Sequence, residues 1–110
     1  MEGFIKGDIV VIPFPFSDLS TTKRRPALVL SEIKGEDVIL CQITSQDISD
    51  DYAIPLLLDD YKEGSLNQVS NIRPNRLFTA DQRLILYKAG QIKNEKYNEV
   101  VAELITLVKK

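Results

Sequence analysis

Apolar positions recur along this chain in short runs, with one period in the first nine-tenths and another at the end. Residues 9–12 (Ile-Val-Val-Ile) and 27–30 (Ala-Leu-Val-Leu) are β-branched or aliphatic and bounded by turn residues, which reads as two adjacent strands. The second extends to about Ile33 and ends in a hairpin turn containing Gly35. Residues 38–44 alternate, with Val38, Leu40 and Gln42 on one face and Ile39, Cys41 and Ile43 on the other. Residues 53–58 form a fourth strand, placed at an edge by Pro55, which has no amide hydrogen to give a ladder. Extended segments follow at 69–73 and 76–79, parted by a bend at Pro74-Asn75, and at 84–92, disturbed at Gly90; 45–51 and 59–65 are polar loops. Then the period changes. Tyr97, Val100, Val101, Leu104, Ile105 and Val108 recur at helical spacing, with Asn94 as the capping side chain and Glu95, Lys109 and Lys110 placed to suit the helix dipole. Many short strands followed by one amphipathic helix predict a mainly β (α+β) fold: a small, curled antiparallel sheet closed by the helix, one domain over 1–110.

Composition narrows the chemistry. The single cysteine, Cys41, permits no internal disulfide and lies inside an apolar strand, so it reads as a buried structural thiol of a protein in a reducing cytoplasm. No apolar run reaches the length of a membrane span. There is no histidine, which removes the usual general base near neutral pH and any His/Cys zinc cluster. The carboxylate pairs Asp50-Asp51 and Asp59-Asp60 lack the spacing of a calcium loop, and the five glycines are dispersed rather than gathered into a phosphate-cradling loop. No metal or other cofactor is expected. The net charge of −2 argues against a generic nucleic-acid binder, but its distribution matters more. Lys23, Arg24, Arg25, Arg73, Arg76 and Arg83 fall in or beside two segments, 7–31 and 70–81, while Asp47, Asp50, Asp51, Asp59 and Asp60 fall elsewhere, which allows a local basic groove on an acidic protein.

The stretch 7–31 carries the most chemistry. Between its two strands lies a loop broken by Pro13 and Pro15 and rich in Ser, Thr and Asp, ending in Lys23-Arg24-Arg25. Pro26 holds Arg25 extended and fixes the direction in which the arginine leaves the sheet. A guanidinium there is permanently charged and can grip two phosphate oxygens at once. Its structural alternative is a surface ion pair. Phe14 and Phe16 offer faces for stacking on unpaired bases, with a core role preferred for at least one.

The spaced pattern Gly7-Asp8-Ile9-Val10, then Arg25-Pro26-Ala27-Leu28-Val29-Leu30-Ser31, resembles the start of the MazF/PemK family of toxin endoribonucleases. The likeness continues through Gln42-Ile43-Thr44-Ser45-Gln46 and through SNIRPNRLFTAD at 70–81, so it covers nearly the whole chain. It implies an SH3-like barrel, a homodimer, and the toxin role of a type II toxin–antitoxin pair, acting on single-stranded RNA and silenced by a cognate antitoxin with an acidic disordered segment. Arg25 matches the family's catalytic arginine and Thr44 its threonine on the scissile phosphate. Lys23, Arg24, Ser45, Gln46, Arg73 and Asn75 then fall to RNA binding. Asn75 stands where PemK-type members carry an aspartate. An asparagine cannot take a proton as a base, so an Arg25/Thr44 mechanism fits better, with metal-independent attack by the RNA's own 2′-OH. The competing readings are a non-catalytic module of the gyrase-poisoning CcdB kind, which shares the fold, and a family member that has lost activity.

Overall fold

The computed structural model describes residues 3–14, 23–45 and 51–110. Its strands are β1 (Asp8–Phe14), β2 (Lys23–Glu32), β3 (Asp37–Thr44), β4 (Ile54–Leu56), β5 (Tyr61–Gly64), β6 (Ser70–Asp81) and β7 (Tyr87–Ile92), followed by helix α1 (Asn94–Val108). They join in one antiparallel sheet of order β4-β6-β3-β2-β1-β7-β5, curled into a half-barrel.

The continuous apolar runs of β1 and β2 are explained by burial on both faces of the sheet. Ile9, Leu28, Leu30, Cys41, Ile43 and Ile72 project to the face covered by α1, which contributes the fully buried Val100. Val10, Ile12, Ala27, Val29, Val38 and Leu40 project to the other, where the curl brings Phe78, Ala80 and Ile85 over them. The two faces of β3 are those predicted from its alternation.

Several elements differ from the sequence reading, each for a local reason. β2 begins at Lys23, so the basic triplet lies within the strand, paired as Phe14↔Lys23, Pro13↔Arg24 and Ile12↔Arg25. Residues 59–65, expected to be a polar loop, supply a 3₁₀ turn (Leu58–Asp60) and the edge strand β5. That strand is short and carries Lys62 and Glu63, which hides it from a hydrophobic pattern search and suits an unpaired edge. It approaches β7 through two glycines: Gly64 pairs with Gly90, and a Cβ on Gly90 would stand 2.7 Å from the Glu63 carbonyl oxygen. The segments 69–73 and 76–79 are one strand, β6, with a bulge: Leu77 pairs with Cys41 and Arg73 with Gln42, leaving Pro74, Asn75 and Arg76 out of the ladder. The expected strand 84–92 begins later, at Tyr87, after a 3₁₀ turn (Gln82–Leu84) that the Asp81 carboxylate caps through the Arg83 amide at 2.8 Å. α1 starts at Asn94 itself, so the N-cap is Lys93, which makes no side-chain capping bond. β4 does lie at the edge, with Pro55 exposed in its middle.

Candidate active site

Two arginines, two hydroxyls and a set of apolar walls meet at the end of the sheet where β2 begins and β3 finishes. The cleft they form holds about 290 Å³. Its apolar floor comes from Val11 on β1, Pro26 on β2 and Ile43 on β3. Arg24 and Arg25 line it from β2, and Thr44 and Ser45 from the end of β3.

β2 and β3 pair as Leu28↔Cys41 and Ala27↔Gln42, where their ladder ends; the same register carried two residues further would set Arg25 opposite Thr44. Residues so placed have Cβ atoms about 4.5–5.5 Å apart. Ile12 faces Arg25 from β1, and Asn71 faces Thr44 from β6. The recorded ladder with β3 stops at Ala27, next to Pro26, which has no amide hydrogen to donate. Thr44 is buried, Arg25 half-buried, and Arg24 and Ser45 are exposed. A half-buried guanidinium beside a buried hydroxyl is held in a narrower range of positions than a surface arginine.

The electrostatics are one-sided. None of the described residues lining the cleft is a carboxylate, and no described carboxylate forms an ion pair with Arg24 or Arg25. The surface ion pair that was the alternative role for Arg25 is therefore missing among the described residues. By contrast, Arg83 is engaged: its guanidinium meets Asp81 at 2.6 Å and holds that carboxyl down at about 2. Two arginines at the wall of a recess, with no described counter-ion, attract a phosphate.

The other expected RNA contacts are placed differently. Lys23 is exposed at the start of β2, outside the cleft lining. Arg73, half-buried, faces Gln42 across the ladder, one rung-pair from Thr44; Asn75 is exposed in the β6 bulge. Gln46 lies outside the described residues, as does Phe16. Phe14 is in the core, its ring edge-on to Phe78 with centroids 4.8 Å apart, so it offers no face for stacking. Cys41 is buried beside the bulge. Its Sγ donates to the Arg73 carbonyl at 2.9 Å, next to the residues that leave the ladder, and burial pushes the thiol up to about 12.

Five residues of the cleft have no counterpart in the sequence reading: Leu66, Asn67, Gln68, Ser70 and Tyr87. Tyr87, half-exposed, enters because β7 pairs Tyr87 with Val11 of the floor. A lone tyrosine and two amides between strands carry no motif, and only the pairing of distant strands reveals them. Among the described residues no three His, Cys, Asp or Glu side chains are grouped to hold a metal. No described helix is long and apolar enough to cross a membrane.

The same architecture occurs in solved structures. MazF from Deinococcus radiodurans superposes with a TM-score of 0.78 over 100% of both chains at 20% identity. A MazE–MazF structure from the same organism gives 0.77 over 98% of each chain at 20% identity. A mycobacterial endoribonuclease in complex with its cognate antitoxin gives 0.76 over 99% of this chain and 96% of that one, at 12% identity. None of the curated proteins compared with it matches in sequence. At such identities the likeness establishes the half-barrel with its C-terminal helix. Family membership rests on sequence: the model of the PemK-like, MazF-like toxins of type II toxin–antitoxin systems matches residues 5–108, and the chain belongs to that family.

Proposed function

We propose that this toxin is a sequence-selective endoribonuclease that cleaves single-stranded RNA by attack of the substrate's own 2′-OH, without a metal. The observation that carries the reading is that Arg24, Arg25, Thr44 and Ser45 line one cleft, whose described lining includes no carboxylate. Arg25 grips the scissile phosphate and stabilises the charge that builds on its non-bridging oxygens as the 2′-oxygen bonds to phosphorus and the P–O5′ bond breaks, the proton lost by the 2′-hydroxyl being balanced, through water, by one taken up on the departing 5′-oxygen. Thr44 donates its hydroxyl to the same phosphate. Arg24 and Ser45 hold the adjoining backbone, with Lys23, Gln46, Arg73 and Asn75 along the path of the strand. Among the described residues the cleft offers no histidine, cysteine or carboxylate, and in this reading the arginines neutralise the charge.

In this reading the working unit is a homodimer. A cognate antitoxin silences it by laying an acidic segment, disordered when free, over the same cleft. One structural neighbour is an endoribonuclease in complex with its cognate antitoxin and another is a MazE–MazF structure, which supports an antitoxin as partner.

The test is to incubate purified protein with a long RNA in EDTA and map the ends. The expected products carry 2′,3′-cyclic phosphates at a short recurring motif, and an RNA with a 2′-deoxy sugar at the cut position survives. Cutting of that deoxy substrate at the ordinary rate would show that the 2′-OH is not the nucleophile. No cleavage, with a wild-type-like fold, would favour the non-catalytic or inactive alternatives.

A further inference from the structure

Segment 66–68 is a wall with two sides. Leu66, Asn67 and Gln68 line the arginine cleft and also a second recess of about 210 Å³, completed by Leu56, Leu58, Tyr61 and Val69. No charged side chain among the described residues lines that recess. Leu58 is 74% and Val69 70% exposed, an arrangement that leaves apolar surface in water at its rim. The wall between is braced. The Leu66 amide donates to the Tyr61 hydroxyl at 3.1 Å, and the Gln68 carbonyl accepts from the buried Ser70 hydroxyl at 3.0 Å. The side-chain amides of Asn67 and Gln68, both exposed, make no hydrogen bond to a described residue.

We propose that this recess takes an unpaired nucleobase of the RNA whose scissile phosphate lies in the cleft, making it a specificity site. The proposal rests on the ribonuclease reading above and adds to it which surface reads the sequence. A single-stranded nucleotide presents a flat apolar face and a polar edge beside each phosphate. Leu58, Val69 and Tyr61 cover such a face. The amides of Asn67 and Gln68 each offer a donor and an acceptor to such an edge. Among the described residues lining it, a second phosphate finds no cation and an acidic peptide finds no partner for its carboxylates, which favours a base over an antitoxin segment as occupant. Because the same three residues line both hollows, the recess lies next to the cleft, within reach of a nucleotide adjoining the one bound there.

The test uses oligoribonucleotides centred on a mapped cut site, with 2′-deoxy at the cut so that they bind without turning over. Each flanking base is removed in turn, leaving an abasic sugar, and affinity is read by fluorescence polarisation. One abasic position next to the cut should weaken binding by wild type about tenfold. In the double variant Leu58→Ser/Val69→Ser, changed only at exposed positions, the same base removal should cost less than twofold. Equal losses at all positions, or an undiminished abasic penalty in the double variant, would overturn the proposal while leaving the ribonuclease reading standing. A double variant that binds RNA normally but loses an acidic antitoxin peptide would assign the recess to protein instead. If wild type neither cuts nor binds RNA, the ribonuclease reading fails first and the proposal with it.

Discussion

Gly64 is the residue on which the approach of β5 to β7 depends, and replacing it with alanine separates two costs that usually arrive together. Gly64 has φ +62° and Gly35, in the β2–β3 turn, has φ +84°, so both sit in the left-handed region. Alanine there costs about 1–2 kcal/mol at either site. The gain from stiffening the unfolded chain is also common to both. The surroundings differ. A Cβ at Gly35 meets nothing within 4 Å, whereas at Gly64 it overlaps the Ala89 carbonyl oxygen and stands 2.9 Å from the Gly90 Cα. Those atoms are backbone and cannot swing aside, so β5 must move, at an overpacking cost of about 1–3 kcal/mol beyond the conformational term. For a chain of this size that difference lowers Tm by about 4–8 °C per kcal/mol. Thermal or urea unfolding of Gly64→Ala and Gly35→Ala side by side is the assay. If Gly64→Ala is no less stable than Gly35→Ala, the close packing of β5 on β7 is wrong. The wall at 66–68, which continues from β5, would then lose its support.

Other outcomes follow from the same geometry. Cys41 should resist thiol reagents at pH 8 in the folded protein and react on addition of denaturant, because its thiol is buried, bonded to the Arg73 carbonyl and raised to about 12; prompt labelling of the native state would contradict this. The Asp81 carboxyl, lowered to about 2 by Arg83, gives a stabilisation present above its unfolded value and lost as pH falls through 2; an NMR titration in Arg83→Ala should move its midpoint up toward 3.8. Arg24→Glu should weaken both RNA and an acidic antitoxin peptide, with the affinity of each falling as salt rises; loss of RNA alone would show that inhibition does not occupy the cleft.

Much of the fold was legible because the apolar runs of β1, β2 and β3 and the helical stripe of α1 are long relative to their signals. Val38, Leu40, Cys41 and Ile43 lie on the faces that their alternation predicts. What was missed has physical causes. β5 is charged, so its existence depends on pairing with β7 rather than on its own pattern. Asn94 is a good capping residue, but the chain enters α1 one position earlier than the cap rule places it. In the candidate site, Arg25, Thr44, Arg24 and Ser45 were expected because the spaced strand pattern resembles a known family, and all four line one cleft. Tyr87, Asn67 and Gln68 were invisible: they reach the cleft only through contacts between elements far apart in sequence. Phe14 was open to two roles until the curl of the sheet set its ring against Phe78.

The central claim is that chemistry takes place in the cleft that Arg25 and Thr44 line. Its most direct test is the single-turnover rate of cleavage of one mapped RNA site by Arg25→Ala, Thr44→Ala and Asn75→Ala, each checked for wild-type stability and RNA binding. Arg25→Ala should be slower by about 10²–10³, the loss expected when one transition-state donor is removed. Thr44→Ala should be similar or milder, and Asn75→Ala, exposed in the bulge outside the cleft lining, should do far less. An Arg25→Ala rate equal to wild type, or an Asn75→Ala defect as large as that of Arg25→Ala, would contradict the assignment.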